Sequence, residues 1–417
     1  MIYEYGIIVD MKQAGYLIIS NVALSDTESN GRILSLLLSG KDESLLHNYC
    51  LGGIHDEKDV RYIKMNDIRN IKSLLSFGCI KPDTNCYISG VGVLSNGSIK
   101  NKKAIHYFIR NILYMINFHI ARYMVRYIED NNIESIFLFG ADSPFLYRLS
   151  RLLSKKCNIP LEIYTCEDYP LKDYNYIEGG KHNKNIFFKL LMKSLKKQAS
   201  KAYWIASKST FNSELLYEDY KKMFRISNPG VKYLPSILDR VEYKERDISH
   251  IVYGGNLYID RVNSLLDVSK VLLDVNKDVV IDIYGKASDE DIARLNNNSN
   301  INYHGVVEYS KMIEIYKDAD MLLHVDGFSD YSIKDYKHAF STKISDCFML
   351  GIPFFIYAPI DIASTQYAYK MNKDYTAISI EELKDKLNGI INNHLPYKVD
   401  YEKINIDFSG GGKKGND

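Results

Sequence analysis

Two adjacent glycines, Gly254 and Gly255, directly follow a strand-like apolar run, and a helix-like segment begins a few residues later. Glycine lets a backbone turn tightly and approach a ligand, and the free N–H groups of such a turn and of a helix N-terminus attract phosphate. Asn256 follows the turn, and Arg261 falls in the first turn of the helix, where a guanidinium can neutralise a diphosphate. A Gly-Gly turn by itself is more often an ordinary turn, so the phosphate interpretation needs a second cluster.

A second cluster of anion-binding residue types lies further along the chain. Ser341, Thr342 and Lys343 begin a short apolar helix that Gly351 ends. The two hydroxyls, the ammonium and the free N–H groups of the helix meet at one end, an arrangement that attracts anions. Asp346 lies one turn further on and can accept hydrogen bonds from ribose hydroxyls. The alternative is a capped surface helix with a solvated lysine.

Together, in this order, the two clusters resemble the nucleotide-sugar domain of retaining GT-B glycosyltransferases of the group-one type (family four), the relatives of glycogen synthase. The family's first motif is Gly, Arg, an apolar residue, three variable positions and Lys, which is similar to Gly255 through Arg261 here. Its second motif is Glu, Gly, Phe, Gly, four variable positions and Glu, then Gly-x-Pro, which is similar to His338 through Asp346 and to residues 351–353. The resemblance covers residues 250 to about 395 well and residues 15–235 only weakly.

Shorter stretches also resemble the family in order. The run DIYGK resembles the family's strand that ends in glycine, which puts Gly285 and Lys286 at the donor. The run YHGVV resembles its base-contacting loop and puts Val306 there.

The resemblance implies an α/β protein of the GT-B type, with two Rossmann-like doubly wound domains facing across a cleft. It implies retaining transfer of a hexose from a nucleoside-diphosphate sugar to a glycan or lipid-linked acceptor, as in bacterial surface polysaccharide synthesis. Fixed cations and N–H groups would stabilise the departing diphosphate without a protein nucleophile. The family usually needs no metal, and we expect neither a metal nor another cofactor here.

Two departures from the family pattern leave alternatives open. His338 stands where the family has the first Glu, which contacts the donor sugar, and we treat it as a catalytic candidate. Asn256 replaces the family's Arg and removes one cation. These departures motivate a second hypothesis, a non-catalytic sugar-nucleotide-binding subunit of a transferase complex. A GT-B nucleotide-sugar 2-epimerase is a third.

Acidic residues in the N-terminal half follow apolar runs and are candidates for contact with the acceptor. Asp168 follows LEIYTC and is a candidate catalytic residue, whereas Asp142 follows SIFLFG and is a candidate acceptor contact. Either carboxylate can bind a hydroxyl or assist its deprotonation, although a helix N-cap is the more ordinary role for Asp142. Asn30 and Gly31 occupy the place of the family's loop after the first strand, and we assign them to the acceptor side.

The stretch from Lys181 to Lys201 is rich in lysine and contains no acid. Phe187, Leu191 and Leu195 recur in it at helical spacing, so the sequence predicts a basic amphipathic helix. Such a helix can lie on an anionic membrane surface. The alternative is a helix whose apolar face belongs to the core and whose lysines are solvated.

The elements that must position these residues alternate between strand-like and helix-like patterns, which is typical of parallel α/β sheets. We predict an N-terminal acceptor-side domain over residues 1–235, with residues from about 396 to 417 packing back on it, a linker over 236–250, and a nucleotide-sugar domain over 251–395. Predicted strands include residues 16–20, 135–140, 161–165, 203–207, 251–255, 279–284, 321–325 and 353–358. Predicted helices of the C-terminal half span roughly 262–273, 288–295, 309–317 and 342–350.

Composition sets further limits. The chain has 53 Lys and Arg against 52 Asp and Glu, a balance that argues against a general nucleic-acid binder. The six cysteines form no Cys-x-x-Cys pair, which is typical of reduced thiols in a cytoplasmic protein. The N-terminus lacks the basic region of a secretory signal, and no apolar run reaches the roughly 20 residues of a membrane span. We expect a cytoplasmic protein, with the inner face of the plasma membrane as a further place for it.

Overall fold

The computed structural model describes residues 14–26, 29–54, 58–84, 103–179 and 184–409. The chain divides into two compact units. The first comprises Met1–Asn212 and Tyr217–Val231, and the second comprises Ser213–Leu216 and Lys232–Asp417. Each unit is a parallel α/β structure, as the alternating pattern predicts.

The first unit is built on a parallel sheet. Its strands are β1 (Gly15–Ile19), β2 (Leu46–Cys50), β3 (Arg61–Lys64), β4 (Ile133–Gly140), β5 (Leu161–Thr165), β6 (Lys208–Phe211) and β7 (Pro229–Val231). Over the described residues these seven strands run in the order β3-β2-β1-β4-β5-β6-β7, with every neighbouring pair parallel. The strand order reverses between β1 and β4, and ligands of such sheets bind where the order reverses, at the carboxyl ends of the strands.

Helices connect these strands. They are α1 (Ser29–Leu38), α2 (Asp67–Leu75), α3 (Ala104–Ile116), α4 (Phe118–Asp130), α5 (Pro144–Cys157), α6 (Ile186–Ile205) and α7 (Glu214–Met223), with short 3-10 helices at Glu43–Leu45, Tyr169–Leu171 and Tyr176–Glu178. Pro144 occupies the first turn of α5, where its missing N–H costs nothing, and Asn158 ends that helix in the left-handed region at φ 53°.

Helix α6 corrects two predictions. Residues 203–205 of the predicted strand 203–207 form its last turn, and β6 begins later, at Lys208. The apolar face of α6 is core: Leu191 and Leu195 are buried, and Phe187 lies against Phe108 with ring centroids 5.7 Å apart. That face is therefore not available to a membrane. The prediction for the lysine stretch extends to residues 181–183, which lie outside the described residues.

The second unit repeats the plan. Its strands are β8 (His250–Gly254), β9 (Val280–Tyr284), β10 (Ile301–Gly305), β11 (Met321–Val325), β12 (Phe354–Tyr357) and β13 (Thr376–Ala377). Over the described residues they form a parallel sheet in the order β10-β9-β8-β11-β12-β13. The order reverses between β8 and β11, so the loops after these two strands are the expected ligand position.

The helices of this unit are α8 (Arg261–Val275), α9 (Asp289–Asn296), α10 (Tyr309–Asp318), α11 (Asp330–Tyr336), α12 (Thr342–Leu350), α13 (Ala363–Met371), α14 (Ile380–Asn392) and α15 (Tyr401–Phe408), with a 3-10 helix at Lys373–Tyr375. Four of them, α8, α9, α10 and α12, lie where the sequence predicts them, and the four others were not predicted. The core lies on both faces of the sheet, one side packed by α8 and α14 and the other by α12 and α15.

The segment before β8 and the C-terminal helix both pack on the second unit. The backbone N–H of Val241 donates to the carbonyl of Leu350 at 3.0 Å, and Ser236 bridges to Ser409. Phe408 is fully buried among aromatic rings of this unit. The prediction that residues from about 396 onward pack on the N-terminal domain is therefore wrong for α15, because its apolar face fills this core.

Candidate functional site

The loop after β8 is held by backbone hydrogen bonds to its neighbours. The N–H of Gly255 donates to the carbonyl of Tyr284 at 2.8 Å, and the N–H of Gly285 donates to the carbonyl of Gly305 at 2.7 Å. A Cβ on Gly285, whose φ is +155°, would lie 1.8 Å from the carbonyl oxygen of Gly255. Only glycine permits this approach, so the loops after β8, β9 and β10 form one close-packed edge of the sheet.

Lys343, in the first turn of α12, lies against this loop. A Cβ on Gly255 would lie 2.6 Å from Lys343 Nζ, and that nitrogen stands 4.8 Å from the ring centroid of Tyr253. Among the residues that the structure describes, no carboxylate lies within 4.0 Å of this ammonium. The two clusters that the sequence singles out therefore meet in three dimensions, and the half-buried lysine has no counter-ion in the described part of the chain.

Arg261, in contrast, is fully engaged. Its Nε donates to Asp326 Oδ1 at 2.9 Å, its second terminal nitrogen lies 2.7 Å from the same oxygen, and Nη1 donates to the carbonyl of Asn256 at 3.1 Å. The guanidinium also lies over the ring of Tyr336 at 4.3 Å. The prediction that Arg261 serves as a phosphate cation stays a prediction, but its charge is already compensated by Asp326.

A buried histidine extends this ion pair. His324 Nε2 lies 3.1 Å from Asp326 Oδ2, and His324 Nδ1 is buried without a hydrogen-bond partner among the described residues. Burial, followed by the positive charge of Lys343, lowers the pKa of His324 to about 4, so the ring is neutral and Nε2–H donates to Asp326. Burial opposes ionisation of Asp326, but Arg261 and His324, which is protonated at the low pH where this carboxyl titrates, outweigh it with their charges and hydrogen bonds. They hold the pKa of that carboxyl well below its usual range.

The surroundings of Lys343 also shift its pKa. Burial and then the positive charge of Arg261 lower its pKa to about 8. Both causes disfavour the charged form of Lys343, whereas an anion beside Nζ would favour that form and raise the pKa. A lysine in this situation is mostly protonated at pH 7, incompletely solvated and suited to hold a phosphate.

Backbone strain accompanies the cluster. Ile259 has φ +55° and Asp260 has φ +69°, directly before α8. A β-branched residue in this region is rare and costs energy, and such strain is often found at ligand-binding loops. Two hydrogen bonds hold the loop in this form. Arg261 donates to the carbonyl of Asn256, and Ser332 Oγ donates to the carbonyl of Ile259 at 3.4 Å.

Some of the remaining residues of the second predicted cluster already form hydrogen bonds within the protein. Ser341 accepts a hydrogen bond from the N–H of Lys343 at 3.2 Å, so its hydroxyl caps α12, while Thr342 is half-buried beside it. Asp346 accepts from Ser236 Oγ at 2.5 Å and from Tyr309 Oη at 2.8 Å. His338 is buried in the loop between α11 and α12, and its predicted catalytic role stays a prediction.

The predicted donor residues at the other strand ends are exposed. Asn256, Lys286 and Val306 present their side chains to solvent at the loops after β8, β9 and β10. Between them, Tyr284 and His304 stack with ring centroids 4.6 Å apart. This aromatic pair is absent from the predicted set.

The first unit has a smaller polar cluster where its strand order reverses. Asn21, which follows β1, donates to Asp142 Oδ1 at 3.2 Å, and Ser143 Oγ donates to the same oxygen at 3.1 Å. Burial raises the pKa of Asp142, and the hydrogen bond from Ser143 and the charge of Arg110 only partly offset this. Asp142 is thus not a simple helix cap, because its hydrogen bonds link the loop after β1 to the start of α5.

The other predicted acceptor-side residues lie in varied settings. Asp168 is buried and lies 3.4 Å from Lys172 Nζ. Asn30 and Gly31 belong to the first turn of α1 and not to a loop, and their assignment to the acceptor side stays a prediction. A Cβ on Gly31 would lie 2.7 Å from the carbonyl oxygen of Ala23, which shows that this glycine serves the close packing of α1 on the preceding loop.

Comparison with solved structures identifies the fold. The chain aligns with Anabaena HepE (Alr3699), solved in complex with UDP and glucose, at a TM-score of 0.51 and 11% identity, over 95% of this chain and 96% of that one. The chain has the GT-B fold. At this identity the likeness shows the fold alone.

Weaker likenesses accompany that one. A UDP-forming α,α-trehalose-phosphate synthase from Burkholderia xenovorans aligns at 10% identity and a TM-score of 0.47, over 90% of this chain and 92% of that one. Acinetobacter baumannii MurG aligns at 12% identity and 0.42, over 91% and 92%. No protein-family model and no curated protein matches the chain.

Besides the Tyr284–His304 pair, the sequence interpretation missed three residues of the site. His324 and Asp326 end the buried run MLLHVD, and Tyr336 supplies the ring under Arg261. Two polar residues at the end of an apolar strand of a parallel sheet were the available signal, since that end is where ligands bind. Separately, no helix among the described residues is long and apolar enough to cross a bilayer.

Proposed function

We propose that this protein is a glycosyltransferase that moves a hexose from a nucleoside-diphosphate sugar to a glycan or lipid-linked acceptor, as in bacterial surface polysaccharide synthesis. The observation that carries the proposal is Lys343: a half-buried ammonium with no carboxylate partner among the described residues, packed against Gly255 where the strand order of the second sheet reverses. The GT-B fold supports the proposal.

In this mechanism, the second unit binds the donor, with its diphosphate beside Lys343 Nζ and the glycine loop. Negative charge develops on the leaving diphosphate as the glycosidic bond breaks, and a preorganised, poorly solvated ammonium stabilises it more strongly than a solvated one. Arg261, fixed by Asp326, holds the strained loop. The first unit takes the acceptor, with Asp142 or Asp168 binding its hydroxyl. Retention of configuration and independence from metals are expectations from the family resemblance.

The experiment is a turnover assay of the purified protein with UDP- and GDP-hexoses. We expect slow release of one nucleoside diphosphate, faster with a glycan or lipid-phosphate acceptor, and loss of release in Lys343→Ala. The anomeric configuration of the product, read by NMR, tests retention. Recovery of an epimerised sugar would instead support an epimerase.

A specific observation favours the non-catalytic subunit as the second candidate. Arg261 is compensated by Asp326, and His338 is a buried imidazole where the resembling family has an acid. Of the two cations in the predicted phosphate clusters, Arg261 and Lys343, only Lys343 then lacks a carboxylate partner among the described residues. Nucleotide binding without turnover, across donors and acceptors, would favour this alternative.

A further inference from the structure

Helices α3, α4 and α5 of the first unit line a largely apolar, open-mouthed cavity of about 260 Å³, and none of the lining residues belongs to the donor or acceptor clusters. Its walls include Tyr49, Tyr114, Phe145, Leu149 and Leu152. Tyr114 and Phe145 stack at 4.2 Å and form a rigid aromatic wall. This volume falls just below the roughly 300–1,000 Å³ of pockets that bury drug-sized ligands, so one apolar chain suits it better than a nucleotide.

The cavity carries an unsatisfied polar group. Tyr49 is fully buried, yet its hydroxyl has no hydrogen-bond partner among the described residues. A buried hydroxyl without a partner costs free energy, and most buried polar groups in proteins are paired.

Cations without counter-ions surround the cavity. Arg122, Arg148 and Lys156 line it, and none of them forms an ion pair with a carboxylate in the described part of the chain. Arg148 donates to the carbonyl of Met115, and Arg122 lies 5.4 Å from the ring centroid of Phe118. Behind them, Arg151 Nε is buried without a partner among the described residues, and burial and the charge of Arg148 lower the pKa of Arg151. None of the described residues that line the cavity is acidic, and such a positive rim is complementary to an anionic group.

The surface beside the cavity is apolar. Leu75 and Phe77 at the end of α2 are 74% and 85% exposed, and Ile116 and Phe118 are 52% and 58% exposed. These two pairs are neighbours in space, because a Cβ on Gly78 would lie 2.6 Å from His119 Nδ1. We call Leu75, Phe77, Ile116 and Phe118 the α2–α4 patch. Apolar side chains of this size beside basic residues are typical of surfaces that enter a bilayer interface.

We propose that the α2–α4 patch and the adjoining cavity bind an anionic lipid, with one acyl chain in the cavity and the head group on Arg122, Arg148 and Lys156. The membrane-facing surface of this protein is then this face of the first unit, and not the lysine-bearing face of α6. The proposal stands independently of the proposed glycosyl transfer, because it uses none of the residues around Lys343.

The test is co-sedimentation of the full chain with phosphatidylcholine vesicles, with and without phosphatidylglycerol. The variant Arg122→Glu/Lys156→Glu changes two residues of the cationic rim. Its matched control, Arg126→Glu/Lys155→Glu, makes the same charge change on the same two helices at exposed positions that do not line the cavity. Since each basic residue near an anionic surface contributes about a fivefold factor, we expect the rim variant to bind at least tenfold more weakly and the control to bind clearly better than it.

The chain insertion is tested separately. Ala121→Trp fills the cavity without changing charge, and we expect it to weaken binding to the anionic vesicles by several-fold. A phosphatidylglycerol with a photoreactive acyl chain should crosslink to peptides from residues 114–122 and 145–156. Crosslinks confined to other peptides, equal loss in the matched control, or equal binding to pure phosphatidylcholine would overturn the proposal.

Two readouts separate this proposal from the proposed function. The rim variants should keep the UDP affinity of the parent protein, which also shows that they fold. Lys343→Ala should keep vesicle binding. If no nucleotide binds but anionic vesicles do, the glycosyltransferase proposal fails and the lipid site stands.

Discussion

At the scale of single residues, the proposed function depends on Lys343. Removing its ammonium should weaken binding of UDP or GDP, because a charge-assisted contact to phosphate contributes roughly 1.5–3 kcal/mol. We expect Lys343→Ala to lose at least tenfold in affinity by calorimetry. Lys270→Ala, which removes an exposed lysine of α8, is the matched control and should bind as the parent does.

The lowered pKa of Lys343 also predicts how stability depends on pH. In the unfolded chain this lysine titrates near 10.5, and in the folded protein near 8. Between these values the unfolded state binds more protons, so this group makes the ligand-free protein more stable as pH rises from about 8 to about 10.5. We therefore expect the free energy of unfolding, measured by urea denaturation, to rise more over this pH range in the parent than in Lys343→Met. Parallel pH profiles for the two proteins would refute the assignment.

The sequence predicts residue types at the site better than it predicts their partners. Glycines after a strand and a lysine at a helix start can be recognised from the sequence, because each depends only on residues nearby in the chain. The pairing of Arg261 with Asp326 joins positions 65 residues apart, and a single sequence contains no information on which carboxylate a given arginine meets. Ser341 shows the same limit, since its hydroxyl caps α12 and is not free for phosphate.

At the scale of elements, the glycine loops should tolerate no side chain. Gly285→Ala puts a methyl group on the carbonyl of Gly255 at a φ that alanine rarely adopts, and we expect it to cost about 1–3 kcal/mol or more and to weaken UDP binding. Gly389→Ala, in α14, meets nothing within 4 Å and should be neutral or stabilising by up to about 1 kcal/mol. The free energy of unfolding from urea titration measures both changes, and an undisturbed Gly285→Ala would contradict the described packing of the loops.

The sequence predicts strands and helices correctly where apolar residues recur at a regular spacing. Strands β8, β9, β11 and β12 and helices α8, α9, α10 and α12 lie within one or two residues of the predicted bounds. The apolar run at residues 203–207 failed because a buried helix end and a buried strand share the same composition, and only its continuity with α6 distinguishes them.

At the scale of the whole molecule, the C-terminal helix is part of the second unit. Phe408 packs among Tyr233, Phe340, Phe348 and Tyr367. Phe408→Ala should therefore cost about 3–5 kcal/mol of unfolding free energy. The neighbouring Ile406 is 73% exposed, and Ile406→Ala should stay within about 0.5 kcal/mol. A stable Phe408→Ala would show that this helix does not complete the core.

The plan of two parallel α/β sheets is predictable from alternating elements, and the family resemblance adds the GT-B name. The unit on which α15 packs is not predictable from the sequence, because the apolar face of an eight-residue amphipathic helix does not indicate which core it completes. Its attachment follows from complementary aromatic packing, which only three-dimensional structure reveals.

The central claim is that Lys343 holds the diphosphate of a nucleotide, and proton uptake on binding tests it most directly. UDP and GDP are titrated by calorimetry at pH 8.5 in buffers of different ionisation enthalpy. Because an anion beside Nζ raises the lowered pKa, we predict that the parent protein takes up a fraction of a proton on binding and that Lys343→Met takes up none. Failure of either nucleotide to bind, or equal uptake in the two proteins, would contradict it.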